Sequence, residues 1–271
     1  MAFSPGSSWV VLLLSKVALS AGFTLAGTAA VERLGPRVGG LFAAVPQFAV
    51  VSLIFFAIEQ GLPFAAESSF WTIPGMCATL AVLLGYLVGS ELVTAPRPAS
   101  IAAGITVGTV FFALAAGILS VTPLGRWSVL PFAAAACFGT TWMVRRLPDT
   151  ATLRRVAASP SLLGMRAGIA AITVLTVTGL AHLLGPKWSG LLVGYPINSL
   201  PVMVILHSHY GREVIRAFIK IFPAGIFGVC LFNLVAWLAL QRLGLAVTIA
   251  LGYGVDIAYL VAVAWVRGRS R

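Results

Sequence analysis

Apolar residues run along the chain in stretches of about twenty, the length a helix needs to cross the hydrocarbon of a bilayer, with short polar segments between them. Those stretches predict helices over residues 11–32, 38–60, 70–92, 99–120, 128–146, 163–183, 188–210, 217–240 and 244–266. Trp71, Trp127, Trp188 and Trp265 fall at stretch ends, where an amphipathic ring sits at headgroup level. The run from Trp9 to Ser15 has no basic segment before it and is interrupted by Lys16, so it reads as a lead-in to the first helix rather than a cleaved signal. The expected fold is all-α: a polytopic transmembrane helix bundle of about nine helices.

The pattern also repeats. At a fixed offset of 150, Leu34-Gly35-Pro36-Arg37 aligns with Leu184-Gly185-Pro186-Lys187, Gly40-Leu41 with Gly190-Leu191, Pro46 with Pro196, Gly61 with Gly211, Thr28 with Thr178 and Lys16 with Arg166. Gly and Pro set backbone geometry, so sharing them in register predicts two copies of one backbone unit. Residues 1–120 form the first four-helix repeat, 121–162 an extra helix and linker, and 163–271 the second repeat. The Gly-Pro pairs predict tight breaks between the first two helices of each copy.

Composition removes the soluble alternative. Hydrophobic residues make up 59% of the 271 and charged residues 9%, against about 25% charged in soluble domains, and mean hydropathy is +1.01. The net charge of +11 does not indicate nucleic acid, because the cations lie in short segments between apolar spans and face lipid headgroups. With the N-terminus outside, fourteen Lys and Arg residues fall on the inner side and four (Lys16, Arg126, Lys187, Arg242) on the outer. The hydrophilic segment from Arg145 to Arg166 is then cytoplasmic, and the helix 128–146 flips the second copy. The repeats are therefore expected to be inverted, the architecture of alternating access. The expected location is the cytoplasmic (inner) membrane, with the bilayer itself as a partner and room left for a homodimer.

Asp256 is the sharpest single residue. It lies near the middle of the last span, where an acid costs about 2.5–3.5 kcal/mol to insert and usually faces a polar interior. Function there means a proton, cation or polar-substrate site; the structural reading is an ion pair or a protonated acid. Gly252 and Gly254 allow close approach, and Tyr253 and Tyr259 can hydrogen-bond into the same space. Pro46 and Pro196 fall inside their helices, and Tyr195-Pro196-Ile197-Asn198-Ser199-Leu200-Pro201 reads as a broken helix. Such backbone is tolerated in a membrane only when buried in protein or lining a cavity. Freed carbonyls with Gln47, Asn198 and Ser199 could form a site at the repeat interface, or the prolines are plain packing kinks. Lys16 and Arg166 read as snorkelling to headgroups, or as two cationic entry residues for an anion. Glu59, His207, His209 and Tyr210 read as interfacial residues, with no third ligand near the two histidines. Asn233 is expected to bond a neighbouring helix. Cys77, Cys137 and Cys230 lie in apolar spans without metal or redox spacing, so no cofactor is indicated. No GxSxG, HExxH or Walker motif and no paired carboxylates appear, which argues against an enzyme.

The second half resembles the GlpM-type small membrane proteins, a family of roughly four-helix chains. The residues are the Gly190-Leu191 to Pro196 spacing, the Gly211-Arg212 turn, and Pro223 early in an apolar helix ending near Trp237, with Pro74 one residue out of register in the first half. The resemblance implies the four-helix architecture and lends no site residues. A fused pair of inverted four-helix units is also similar in plan to small multidrug transporters. Those use a glutamate in the middle of the first helix; here Glu32 stands at its end and Lys16 is the inner charge. The expected function is a transporter or flippase for a small-molecule or lipid-headgroup substrate, with a non-transporting scaffold of an envelope-polymer or lipid pathway as the alternative.

Overall fold

The computed structural model describes residues 10–26, 46–93, 96–147, 160–197 and 199–269, and the regular structure in them is helical. The helices are α1 (Val10–Ala26), α2 (Gln47–Glu59), α3 (Leu62–Leu92), α4 (Arg97–Val121), α5 (Val129–Val144), α6 (Pro160–Gly179), α7 (Ala181–Val193), α8 (Ser199–Tyr210) and α9 (Arg212–Arg269). By length and composition, α3, α4 and the stretch Phe222–Val266 of α9 can each cross a membrane. The chain is thus an all-α protein with membrane-compatible helices. The Gly35-Pro36 turn and the start of the helix expected over 38–60 lie outside the described residues.

The stretch Phe222–Val266 is twice the length of a span, and it doubles back. Gly244 interrupts α9 with φ 73° and ψ 174°, a left-handed conformation that glycine adopts without a Cβ clash. Gly228 lies against Asp256 and Gly252 against Phe232. The Phe227 ring meets Tyr259 at 5.4 Å and Phe232 meets Tyr253 at 5.5 Å. One partner's number falls as the other rises, so the arms 212–243 and 245–269 are antiparallel. Helices α3 and α4 form a similar hairpin, with Gly89 against Ala103 and Gly85 against Gly108.

These elements recur along the chain at the offset of 150. Helix α1 has its counterpart in α6, α2 in α8, α3 in the first arm of α9, and α4 in the second arm. Gly61 and Gly211, each one residue before a long helix, have φ of 90° and 83°. Helix α3 and the first arm of α9 cross antiparallel: the Phe70 ring meets Trp237 at 4.8 Å, Cys230 Sγ reaches the Ile73 carbonyl at 4.0 Å, and Glu91 pairs with Arg216 at 2.6 Å. Near the crossing midpoint the buried thiols of Cys77, Cys137 on α5 and Cys230 meet, all three free.

Three expectations shift. Helix α3 begins at Leu62 rather than at 70, because Gly61 and a proline in the first turn make a start signal; Glu67 is therefore helical and accepts a hydrogen bond from Trp71 Nε1 at 3.0 Å. Helices α6 and α7 meet at a bend of 120° after Gly179, upstream of the Gly185-Pro186 pair, and Gly185 (φ 68°) adds a second break inside α7. The helix expected over 188–210 is two helices, α7 and α8, with the break starting at Gly194. Helix α7 lies almost backbone to backbone on α3. Gly194 rests on Gly75, Gly190 on the Ser68 carbonyl, and a Cβ on Gly75 would come within 2.6 Å of the Leu191 carbonyl oxygen.

Candidate functional site

Two polar places and one polar end stand out: a cleft between α1 and α6, a buried acid between the arms of α9, and an end where α3 and α4 meet α8 and α9. The first place starts from α1. Lys16, Ser20 and Thr24 recur every fourth residue, so they share one helix face, and all three are buried. Ser20 Oγ donates to the Lys16 carbonyl at 2.7 Å and Thr24 Oγ1 to the Ser20 carbonyl at 2.8 Å, which satisfies the hydroxyls inside their own helix. Ser20 and Thr24 line a small cleft with Gln47, Phe48, Ala170 and Val174. Its volume is about 10 Å³, room for about one water. Ala170 and Val174 on α6 stand 150 residues from Ser20 and Thr24, so the two matched helices face each other across the cleft.

Lys16 does not snorkel. Its Nζ lies 2.5 Å from Glu59 Oε1, with the side chains 7% and 16% exposed, and 5.6 Å over the Phe55 ring. A buried lone charge costs several kcal/mol, and pairing is the compensation open to it. Glu59 is accordingly an internal partner rather than an interfacial residue. Pro46 directly precedes α2, and its carbonyl accepts the first bond of that helix, from Val50 N at 2.9 Å. The structure thus sets Gln47 in the cleft, just after Pro46, and Lys16 near the opposite end of α2, on Glu59. Arg166 lies on α6, and its side chain is outside the described residues.

The second place is the second arm of α9. Asp256 is fully buried, and neither carboxylate oxygen has a hydrogen-bond partner among the described residues. It packs against Gly228 of the first arm and beside the Tyr259 ring. A Cβ at 228 would meet Asp256 Oδ1, so a larger residue there would force the carboxylate to shift. Tyr253, one turn earlier, packs its ring at a tilt on Phe232. The break before α8 is held elsewhere. Thr79 Oγ1 donates to the Gly194 carbonyl, Tyr195 Oη bonds Thr109 Oγ1 at 2.8 Å, and Ser199 Oγ reaches the Pro196 carbonyl at 3.5 Å. Asn198 lies outside the described residues. The broken backbone is therefore buried against α3 and α4, as a membrane interior requires, and neither the break residues nor Asp256 line the cleft.

The polar end joins α3 and α4 to α8 and α9. Tyr86 Oη and His207 Nδ1, both buried, share a hydrogen bond of 3.1 Å. Arg97 donates to the Ser208 carbonyl and Arg212 to the Ser90 carbonyl, each at 3.4 Å. Arg216 bonds Glu91 twice, at 2.6 and 3.2 Å. Lys187 sits toward the other end of α3, over the Trp71 ring at 4.8 Å and bonded to the Ser120 carbonyl at 3.0 Å.

Sequence reasoning missed several of these residues. Ser20 and Thr24 carried a signal, their spacing from Lys16. Tyr86 and buried His207 did not, because their contact spans 121 residues of chain. His209 turns away from it, to Ser208 and the Ile205 carbonyl. Among the described residues Asn233 bonds no neighbouring helix: its amide donates to Val229 O, one turn back, at 2.9 Å. No family model, curated protein or solved structure matches the chain.

Proposed function

We propose that the protein is a transporter or flippase of the cytoplasmic (inner) membrane that moves a small polar or amphiphilic solute by alternating access between two inverted repeats, with its N-terminus outside and C-terminus inside. The observation that carries this reading is the antiparallel crossing of α3 and the first arm of α9, elements 150 residues apart. Copies of one unit running in opposite directions are what inverted-topology repeats require. The matched φ of Gly61 and Gly211, and the cleft where α1 faces α6, support it further. The small volume of that cleft fits a closed state. Asp256, buried and unpartnered in a membrane-compatible helix, is the residue we assign to proton or cation coupling.

A test uses the aligned pair Arg37 and Lys187. Single cysteines there, labelled in intact cells and in inverted vesicles, are expected to react from the inside at 37 and from the outside at 187. Labelling of both from one side refutes inversion. In proteoliposomes, proton flux followed with an entrapped pH dye is expected to be present for the wild type and lost in Asp256→Asn. The small size of the cleft favours one other reading, a membrane scaffold or accessory protein of an envelope-polymer or lipid pathway. Inverted labelling without any flux would select it.

A further inference from the structure

The arginine end carries more positive charge than it neutralises. Glu91 is taken by Arg216 through two hydrogen bonds. Arg97 and Arg212 make no ion pair with a carboxylate among the described residues. Each gives one N–H, at 3.4 Å, to a main-chain carbonyl, although a guanidinium has five donors in a fork that matches two anion oxygens. Glu213, the next carboxylate along the chain, is exposed.

The two arginines also converge. The Ser90 carbonyl that Arg212 approaches accepts Ser100 Oγ at 2.8 Å, and Ser100 is one turn beyond Arg97 on α4. Buried His207 lies within electrostatic reach of both guanidinium groups. Arg97 and Arg212 are moreover the first residues of α4 and α9, where unpaired amides already make the potential positive and a cation is disfavoured. α4 has no acidic residue in its first turn. Like charges brought together at such a position, each with one hydrogen bond among the described residues, are complementary to an anion rather than to each other. Arg97 is exposed and Arg212 half-buried, so an anion can reach both from the headgroup layer or from water.

We propose that Arg97 and Arg212 together bind a phosphate-class anion, its oxygens bridging the two guanidinium groups at this end of the bundle. The site does not depend on the transport reading. Two sources share the chemistry, a phospholipid headgroup and a soluble phosphate. The experiment uses the full chain in nanodiscs and follows thermal unfolding by tryptophan fluorescence. One arm titrates inorganic phosphate into phosphatidylcholine discs against chloride at matched ionic strength. The other compares phosphatidylcholine discs with discs containing phosphatidylglycerol. We expect a rise in Tm in one arm, which also identifies the source. Arg97→Lys or Arg212→Lys should weaken it about tenfold, the double variant Arg97→Gln/Arg212→Gln should abolish it, and Arg242→Gln should keep it. No shift for the wild type in either arm, an equal shift with chloride, or a shift retained by the double glutamine variant overturns the proposal. The wild-type arms do so whether or not a variant folds.

Discussion

At the arginine end of the seam, polar side chains cross between α3–α4 and α8–α9. At the other end, most of the positions 150 residues away are apolar, with Gln241, the counterpart of Glu91, the polar exception. Tyr86 has its counterpart in Ala236, Ser90 in Leu240, His207 in Ala57, Arg212 in Leu62 and Arg216 in Ala66. Those five counterparts belong to one apolar cluster with Phe56, Val193 and Phe232. The ion pair nearest that end, Lys16 with Glu59, joins α1 to α2 and stays within one half. Matched backbone elements are thus closed by different forces. Hydrogen bonds at the arginine end can be exchanged for water at small net cost, and charge there is screened by salt. The apolar end opens only by exposing hydrocarbon, at roughly 25 cal/mol per Å². Under the transport reading the two ends would respond to different signals.

The sharpest break of this comparison is at the dry end. Lys16→Met leaves Glu59 buried without its partner and is expected to cost about 3–5 kcal/mol; Lys16→Met with Glu59→Leu should recover most of that, both read from thermal unfolding in detergent. A double variant as unstable as the single one would mean that the pair is not what holds α1 to α2. Next, Ala66→Glu places a charge where the counterpart Arg216 is tolerated, and we expect a loss of about 2.5–3.5 kcal/mol, seen as poor yield of monodisperse protein. Normal yield and Tm would remove the dryness argument.

At the arginine end the effects are smaller. Tyr86→Phe strips His207 Nδ1 of its buried partner and should cost about 1–3 kcal/mol, measured as a fall in Tm, whereas Ala236→Phe at the counterpart site is an overpacking test of similar size. Least of all, Arg216→Ala removes a half-exposed ion pair, for which about 0–1 kcal/mol is expected. The difference from wild type should shrink as salt is raised. A salt-independent difference would show that Arg216 acts through packing of its stem.

Much of this architecture was legible because backbone constraints are written in residue type. Gly61 and Gly211 stand in register because a left-handed turn before each long helix excludes a Cβ. The break at 194–197 announced itself through Pro196 and Pro201. Side-chain partnerships were not legible in this way. Lys16 looks the same in sequence whether it reaches a headgroup or Glu59, because its long stem permits both. Asn233 looks like an interhelical donor until the carbonyl one turn back proves closer. The close contact of Gly75 with Gly194 depends on how α7 bends at Gly179, and no local pattern reports that angle.

The helical class, the membrane-compatible stretches and the matched spacing of the halves follow from the residues along the chain, since apolar length and Gly or Pro geometry are local properties. Which polar groups meet is set by the packing of the helices. That packing left Asp256 without a partner against Gly228, gave Lys16 to Glu59, and drew Arg97 and Arg212 to one place. Those outcomes depend on distances between residues far apart in the chain, which burial and helix packing set together.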